Sequence, residues 1–111
     1  MSSQNEKPSI EYQPEASGNS GVLYLRGDLG IQQSKSVKEA LIEALNRGDT
    51  LRLNVKELLS IDLMITQSLF AAHQFAQKNN IKMELDGTCP QVLFDAVHTV
   101  GLHSHAWLCF G

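Results

Sequence analysis

An α/β fold is what this sequence predicts, with a mixed, mostly parallel β-sheet and helices packed on it. Three observations lead there. Segments of alternating hydrophobicity recur between segments of helical periodicity. The first two strand-like segments follow each other with no helix between them. All of this fits into 111 residues, a length with room for one core. Strands that alternate with helices imply right-handed crossovers and parallel neighbours, and the opening strand pair adds an antiparallel portion.

Residues 1–8 are polar and read as a disordered segment, so the folded domain is expected over 9–111. "SIEYQP" alternates Ile10 and Tyr12 and ends at Pro14, which suits a short strand. "EASGNSG" (15–21) has the turn residues of a hairpin connector. "VLYLRG" follows as a second strand that Gly27 should stop. From Ile31 to Asn46 the period changes: Val37, Ala40, Leu41, Ala44 and Leu45 fall at helical spacing. Ser34 or Ser36 could cap that helix, and Gly48 follows as a stop. "TLRLNV" then alternates Leu51, Leu53 and Val55, a strand with one buried face.

A second helix is expected over Leu63–Asn79, a turn at Asn79–Asn80, and a strand over Lys82–Leu85. "TCPQVLFDAVHTVGL" opens a third helix with Pro90 at its first position and Gly101 at its stop. "AWLCF" closes the chain as a final strand. The expected order is therefore β-β-α-β-α-β-α-β, with no internal repeat.

Hydrophobic residues make up 42% and charged residues 19%, ordinary values for a globular protein. The net charge is −3 and the nine Lys and Arg residues are scattered. Nucleic acids and anionic membranes are recruited by basic patches, so neither is an expected partner. "MSSQNEKPS" has no apolar h-region of a signal peptide. No run of about 18 apolar residues occurs, so no membrane insertion is expected. A cytoplasmic chain follows, with Cys89 and Cys109 reduced. His98, His103 and His105 crowd the last quarter without the spacing of a metal site, so neither metal nor other cofactor is expected. No GxSxG, glycine-rich phosphate loop or Cys–His signature occurs, and an enzyme is not expected.

The stretch "SIDLMITQSLFAAHQFA" (60–76) holds the candidate site. Asp62 is placed to cap the helix by accepting from the backbone of Met64 or Ile65. Ile65, Leu69, Ala72 and Ala76 form a core stripe, flanked by Met64, Ser68 and Phe75. Opposite lie Leu63, Gln67, Phe70 and Gln74. Moving each large apolar side chain of that row into an apolar contact would contribute about 1.5–3 kcal/mol. The row therefore predicts a partner surface or a homodimer face. Met64, soft and unbranched, could fill a gap or adapt to a partner.

Three motifs, "LRGDL", "LRLNVKELLSID" and "CPQVLFDAVHTVGL", stand in this order between residues 20 and 110. Together they resemble the STAS domain, the module shared by anti-sigma factor antagonists and sulfate transporter tails. The resemblance implies a small mixed sheet, no catalytic centre, and protein–protein contact centred on the start of the second helix. In regulated members that start reads Asp, two hydroxyl residues and Gly, and a partner kinase phosphorylates the second hydroxyl. Here Asp62 is kept, Leu63 and Met64 hold the hydroxyl positions, and Ile65 replaces the Gly. The phosphoacceptor is missing, so the resemblance implies binding without that switch.

Among nearby hydroxyls, Ser60 is expected in the strand-to-helix loop, Thr66 on the helix flank and Ser68 partly in the core. Thr66 is then the best substitute for phosphorylation, although a phosphate there would meet Asp62. Gln67 stands where some STAS proteins of chemotaxis or two-component signalling carry a Gln. The expected function is a bacterial signalling module. It would bind an anti-sigma factor or kinase-like protein, or a chemotaxis component, through Asp62, Leu63, Met64, Thr66, Gln67, Phe70 and Gln74. Alternatives are a structural subunit of a larger complex such as a lipid-transport ATPase, and a nucleotide or small-ligand binder near Asp62.

Overall fold

Ten residues, Ser20–Leu29 (β2), supply the strand on which everything else is assembled. Leu23, Leu25 and Leu29 project from it into the core with no exposure. The computed structural model describes residues 7–16 and 18–99. Around β2 stand β1 (Ser9–Pro14), α1 (Ser34–Leu45), β3 (Thr50–Asn54), β4 (Leu58–Ile61), α2 (Leu63–Lys78), β5 (Lys82–Leu85) and α3 (Gln91–Thr99), with a single 3₁₀ turn over Ile31–Gln33. The expected final strand "AWLCF", the Gly101 stop, His103, His105 and Cys109 lie outside the described residues.

The result is one mixed, mostly parallel five-stranded sheet with three helices among the described residues. β1 pairs antiparallel with β2, placing Ile10 opposite Leu25 and Tyr12 opposite Leu23. β3 runs parallel to the first half of β2, and β5 is parallel to β3 on its far side. β4 is parallel to the second half of β2. Thus β3 and β4 lie in succession along one edge of β2, divided by Val55–Glu57.

Alternation assigns the two sheet faces. Leu51, Leu53, Val55 and Met83 face the helices and are buried. On the opposite face Arg52 pairs with Glu15 at 2.7 Å and Glu84 at 3.2 Å, and Arg26 with Glu11 at 3.0 Å and Glu57 at 3.4 Å. Hydrogen bonds from Gln13 and Arg26 hold the Glu11 carboxyl below its ordinary pKa. The Glu84 hydrogen bond and the charge of Glu15 raise that of Arg52.

Several expectations need correction. Ser60, expected in the strand-to-helix loop, lies in a separate strand, β4, whose exposure runs buried, exposed, exposed, half-buried rather than alternating. β2 does not stop at Gly27. That glycine takes φ +79, the register to β4 shifts between Gly27 and Asp28, and the strand continues to Leu29. In that shift Leu59 of β4 has no partner on β2, and glycine takes the positive φ beside it without strain. Neither serine caps α1: its N-cap is Gln33, with no side-chain cap bond, and its C-cap is Asn46. Gly48 is required instead by close approach, since a Cβ there would overlap the Asn19 carbonyl. That carbonyl accepts from Asp49 and Thr50 at 2.8 and 3.2 Å as β3 begins. Cys89, expected as a reduced thiol, is disulfide-bonded, a pairing that linear spacing cannot announce.

Candidate functional site

The ends of β2 and β4 and the start of α2 meet at one mouth. Past the bulge, the Leu29 carbonyl accepts from the backbone N–H of Asp62 at 2.9 Å. Asp62 is extended (φ −75, ψ 154), and its carboxylate accepts from the Met64 N–H at 2.7 Å. A cap of this kind contributes on the order of 1 kcal/mol and starts the helix at a defined residue. The Asp62 carbonyl accepts twice from Thr66, from its backbone N–H and its Oγ1, both at 3.0 Å. Ser60, which lies in β4 rather than a loop, donates to the Asp28 carboxylate at 2.8 Å. Asp62 is thus held from both directions, and the two residues after it have little freedom to turn inward.

Those two residues are Leu63 and Met64, each 51% exposed. Ile31 in the 3₁₀ turn and Leu59 in β4 are also exposed apolar side chains near this end. Gln67 and Gln74 are exposed as expected. Phe70 is not outward: it is half-buried and packs against the core. Thr66 is not on an accessible flank: it is fully buried. The cause lies on the Leu63–Thr66 side of α2, where α3 closes in and Ala96 and Thr99 share a small cleft with Leu63 and Thr66. A helical period gives an angle around an axis, and it is silent about which neighbour packs there.

The other flank of α2 is open where the sequence suggested core. Phe75 is 46% exposed, as is Ile42 of α1 at 52%. With Met64, Ser68 and Ala71 they border a groove of about 570 Å³ floored by Leu41, Leu45 and Ala72. Ile42 stands just off the stripe of Val37, Leu41, Ala44 and Leu45, and that offset was the available signal.

Among the described residues, the polar groups of the mouth serve in capping and hydrogen bonding. Among the described residues no three His, Cys, Asp or Glu side chains converge as metal ligands. His98 has Nδ1 at 3.1 Å from the Phe94 carbonyl and its ring 4.2 Å from the Phe94 ring, both within α3. Burial lowers the pKa of His73 on α2. Among the described residues no helix is long and apolar enough to cross a membrane.

Comparison with known proteins agrees with this fold. The family model described as "Mlab, STAS domain" matches residues 12–108. No curated protein matches the sequence. The fold is similar to the Bacillus cell fate determinant SpoIIAA in its phosphorylated form, at 13% identity and TM-score 0.67, with 86% of each chain covered. It is similar to the anti-sigma factor antagonist SpoIIAA in its unphosphorylated form, at 13% identity and TM-score 0.68, covering 86% of this chain and 84% of that one. An anti-sigma factor antagonist from Mycobacterium paratuberculosis matches at 11% identity and TM-score 0.71, covering 88% and 81%. At such identities the structures speak for the fold alone.

Proposed function

The chain belongs to the STAS-domain family, and on that premise we propose that it is a non-enzymatic bacterial signalling module that binds a protein partner through the start of α2. The observation that carries this reading is the pair Leu63 and Met64, each 51% exposed immediately after a capped Asp62. An acid-capped helix start that presents two large apolar side chains leaves stabilisation unused until something covers them. The positions that hold hydroxyls in regulated relatives offer no phosphoacceptor here, so the surface is permanently available. Asp62, Gln67 and Gln74 supply its polar border. Thr66 and Phe70 support it from beneath. A cytoplasmic placement accompanies this reading, and cytoplasmic thiols would reduce the disulfide at Cys89. The partner class is a kinase-like anti-sigma factor or a chemotaxis or two-component protein.

The test is affinity capture from the native cell with the full chain, wild type against Leu63→Asp. The variant should stay folded and lose the partner, because Leu63 is half-exposed on the first turn, where a carboxylate also suits the helix dipole, and a carboxylate is expensive to desolvate in an interface. Undiminished capture by a folded Leu63→Asp would remove the mouth as the contact.

A second reading, a permanent subunit of a larger assembly such as a transport ATPase complex, is favoured by the additional exposure of Ile31, Ile42, Leu59 and Phe75. It predicts that the isolated chain self-associates as concentration rises in sedimentation velocity. A sedimentation coefficient independent of concentration would count against it.

A further inference from the structure

The groove between α1 and α2 has a shape and a charge that the mouth of α2 does not explain. Because β2, β3, β4 and β5 are all parallel, α1 and α2 both run back across the sheet and point the same way. Their N-termini therefore share one end. Along α2 the wall is Met64, Ser68, Ala71 and Phe75, and along α1 it is Lys38, Ile42 and Asn46. From Met64 to Phe75 the rise is roughly 16 Å, about three helical turns. Three of the wall's apolar side chains, Ile42, Met64 and Phe75, are each about half-exposed, so the trough is open along its length. A small ligand needs 70–90% of its surface covered, roughly speaking, and an open trough provides less. A trough between two co-directional helices instead receives the apolar stripe of a third.

Charge narrows the occupant further. Lys38 is the one charged side chain lining the groove. Among the described residues it makes no ion pair. The carboxylates nearest in sequence, Glu39 and Glu43, do not line the groove, and Glu43 is engaged with Arg47 at 3.4 Å. The helix dipoles add positive potential at the shared N-terminal end. An apolar trough with a lone cation and no anion is complementary to an apolar stripe that carries an acid.

We propose that this groove seats an amphipathic helix of the protein partner, with a carboxylate side chain of that helix facing Lys38. This rests on the reading above, since Met64 and Gln67 belong to both surfaces. It adds the class of the partner's contacting segment and extends the contact from the mouth of α2 along its α1 flank.

The test uses the full chain and two labelled helical peptides of about 15 residues. Both have an identical leucine stripe; one has glutamates beside it and the other has lysines. In fluorescence anisotropy the acidic peptide should bind wild type about tenfold more tightly than the basic one or better. Lys38→Glu should reverse that order, and Ala71→Arg, on the exposed wall, should abolish binding of both. If Ala71→Arg fails to fold, Ile42→Arg, on the exposed α1 wall, replaces it.

Failure of the acidic peptide to bind wild type would overturn the inference, as would equal affinity for the two peptides or binding that Ala71→Arg leaves intact. A dimer in sedimentation that Ala71→Arg dissolves would make the occupant a second copy of the chain. Tight binding of a fluorescent fatty acid in place of the peptides would make it an acyl ligand. Capture of the native partner by Ala71→Arg but not by Leu63→Asp would sink the groove and leave the mouth standing; capture by both would sink both.

Discussion

Thr66→Glu is expected to unfold the domain rather than imitate phosphorylation. The Thr66 side chain has no exposure, and its Oγ1 is spent on the Asp62 carbonyl at 3.0 Å. A glutamate there cannot reach water without pushing α2 away from α3. Its charge would be enclosed close to the Asp62 carboxylate, and among the described residues no cation lines its cleft. An uncompensated buried charge costs about 3–5 kcal/mol, set against a total stability of roughly 5–15 kcal/mol for a domain. Thr66→Val keeps the shape and removes the hydroxyl, so it should cost about 1 kcal/mol. Thermal unfolding followed by circular dichroism separates the two: a small shift for valine, loss of the transition for glutamate. A wild-type midpoint for Thr66→Glu would mean that the position opens to solvent, and would restore Thr66 as a candidate for modification.

Much of the fold was legible because local pattern and global environment agreed. β5 was read to the residue from its alternation and from the Asn79–Asn80 turn, where Asn80 takes φ 58. α2 was read nearly as well, because Asp62 is a strong cap and Ile65, Leu69, Ala72 and Ala76 form a clean stripe. β4 was not legible. Four residues without alternation carry no periodic signal, and the strand exists because the second half of β2 offers a parallel partner about 30 residues earlier in the chain. The 3₁₀ turn before α1 was missed for a similar reason: the Gln33 side chain bonds back to the Gly30 N–H at 2.9 Å, a local contact that helical period does not encode.

At the site, the exposure of Leu63, Gln67 and Gln74 followed from the helical angle alone. Phe70 and Phe75 exchanged roles because that angle leaves open which flank α3 covers and which flank borders the groove with α1. Sequence therefore located the helix that carries the candidate site and the exposed glutamines beside it. Neighbouring helices decide which of its apolar side chains remain free.

Gly27→Val is expected to damage fold and site together, because the mouth is assembled downstream of one bulge. At φ +79 a β-branched residue is a steric outlier, and holding it there costs about 1–3 kcal/mol. The cheaper response is to undo the register shift, in which Leu59 of β4 has no partner on β2. A one-residue slip of β4 against β2 turns its side chains to the other face, and Ile61, now half-buried against the core, would lose that contact. Asp28 would leave Ser60, and the Leu29 carbonyl would no longer receive the Asp62 N–H at 2.9 Å. The cap and the two exposed hydrophobes after it would then lose their registration with the end of the sheet. Partner capture should fall even in the fraction that stays folded at low temperature. Gly30→Ala is the control: its backbone is ordinary and extended (φ −93, ψ −173), and an added Cβ meets nothing closer than 3.6 Å. It should match wild type in thermal midpoint and in capture. If Gly27→Val also matched wild type in both, the bulge would be dispensable, and the orientation of Leu63 and Met64 would have to arise within α2 itself.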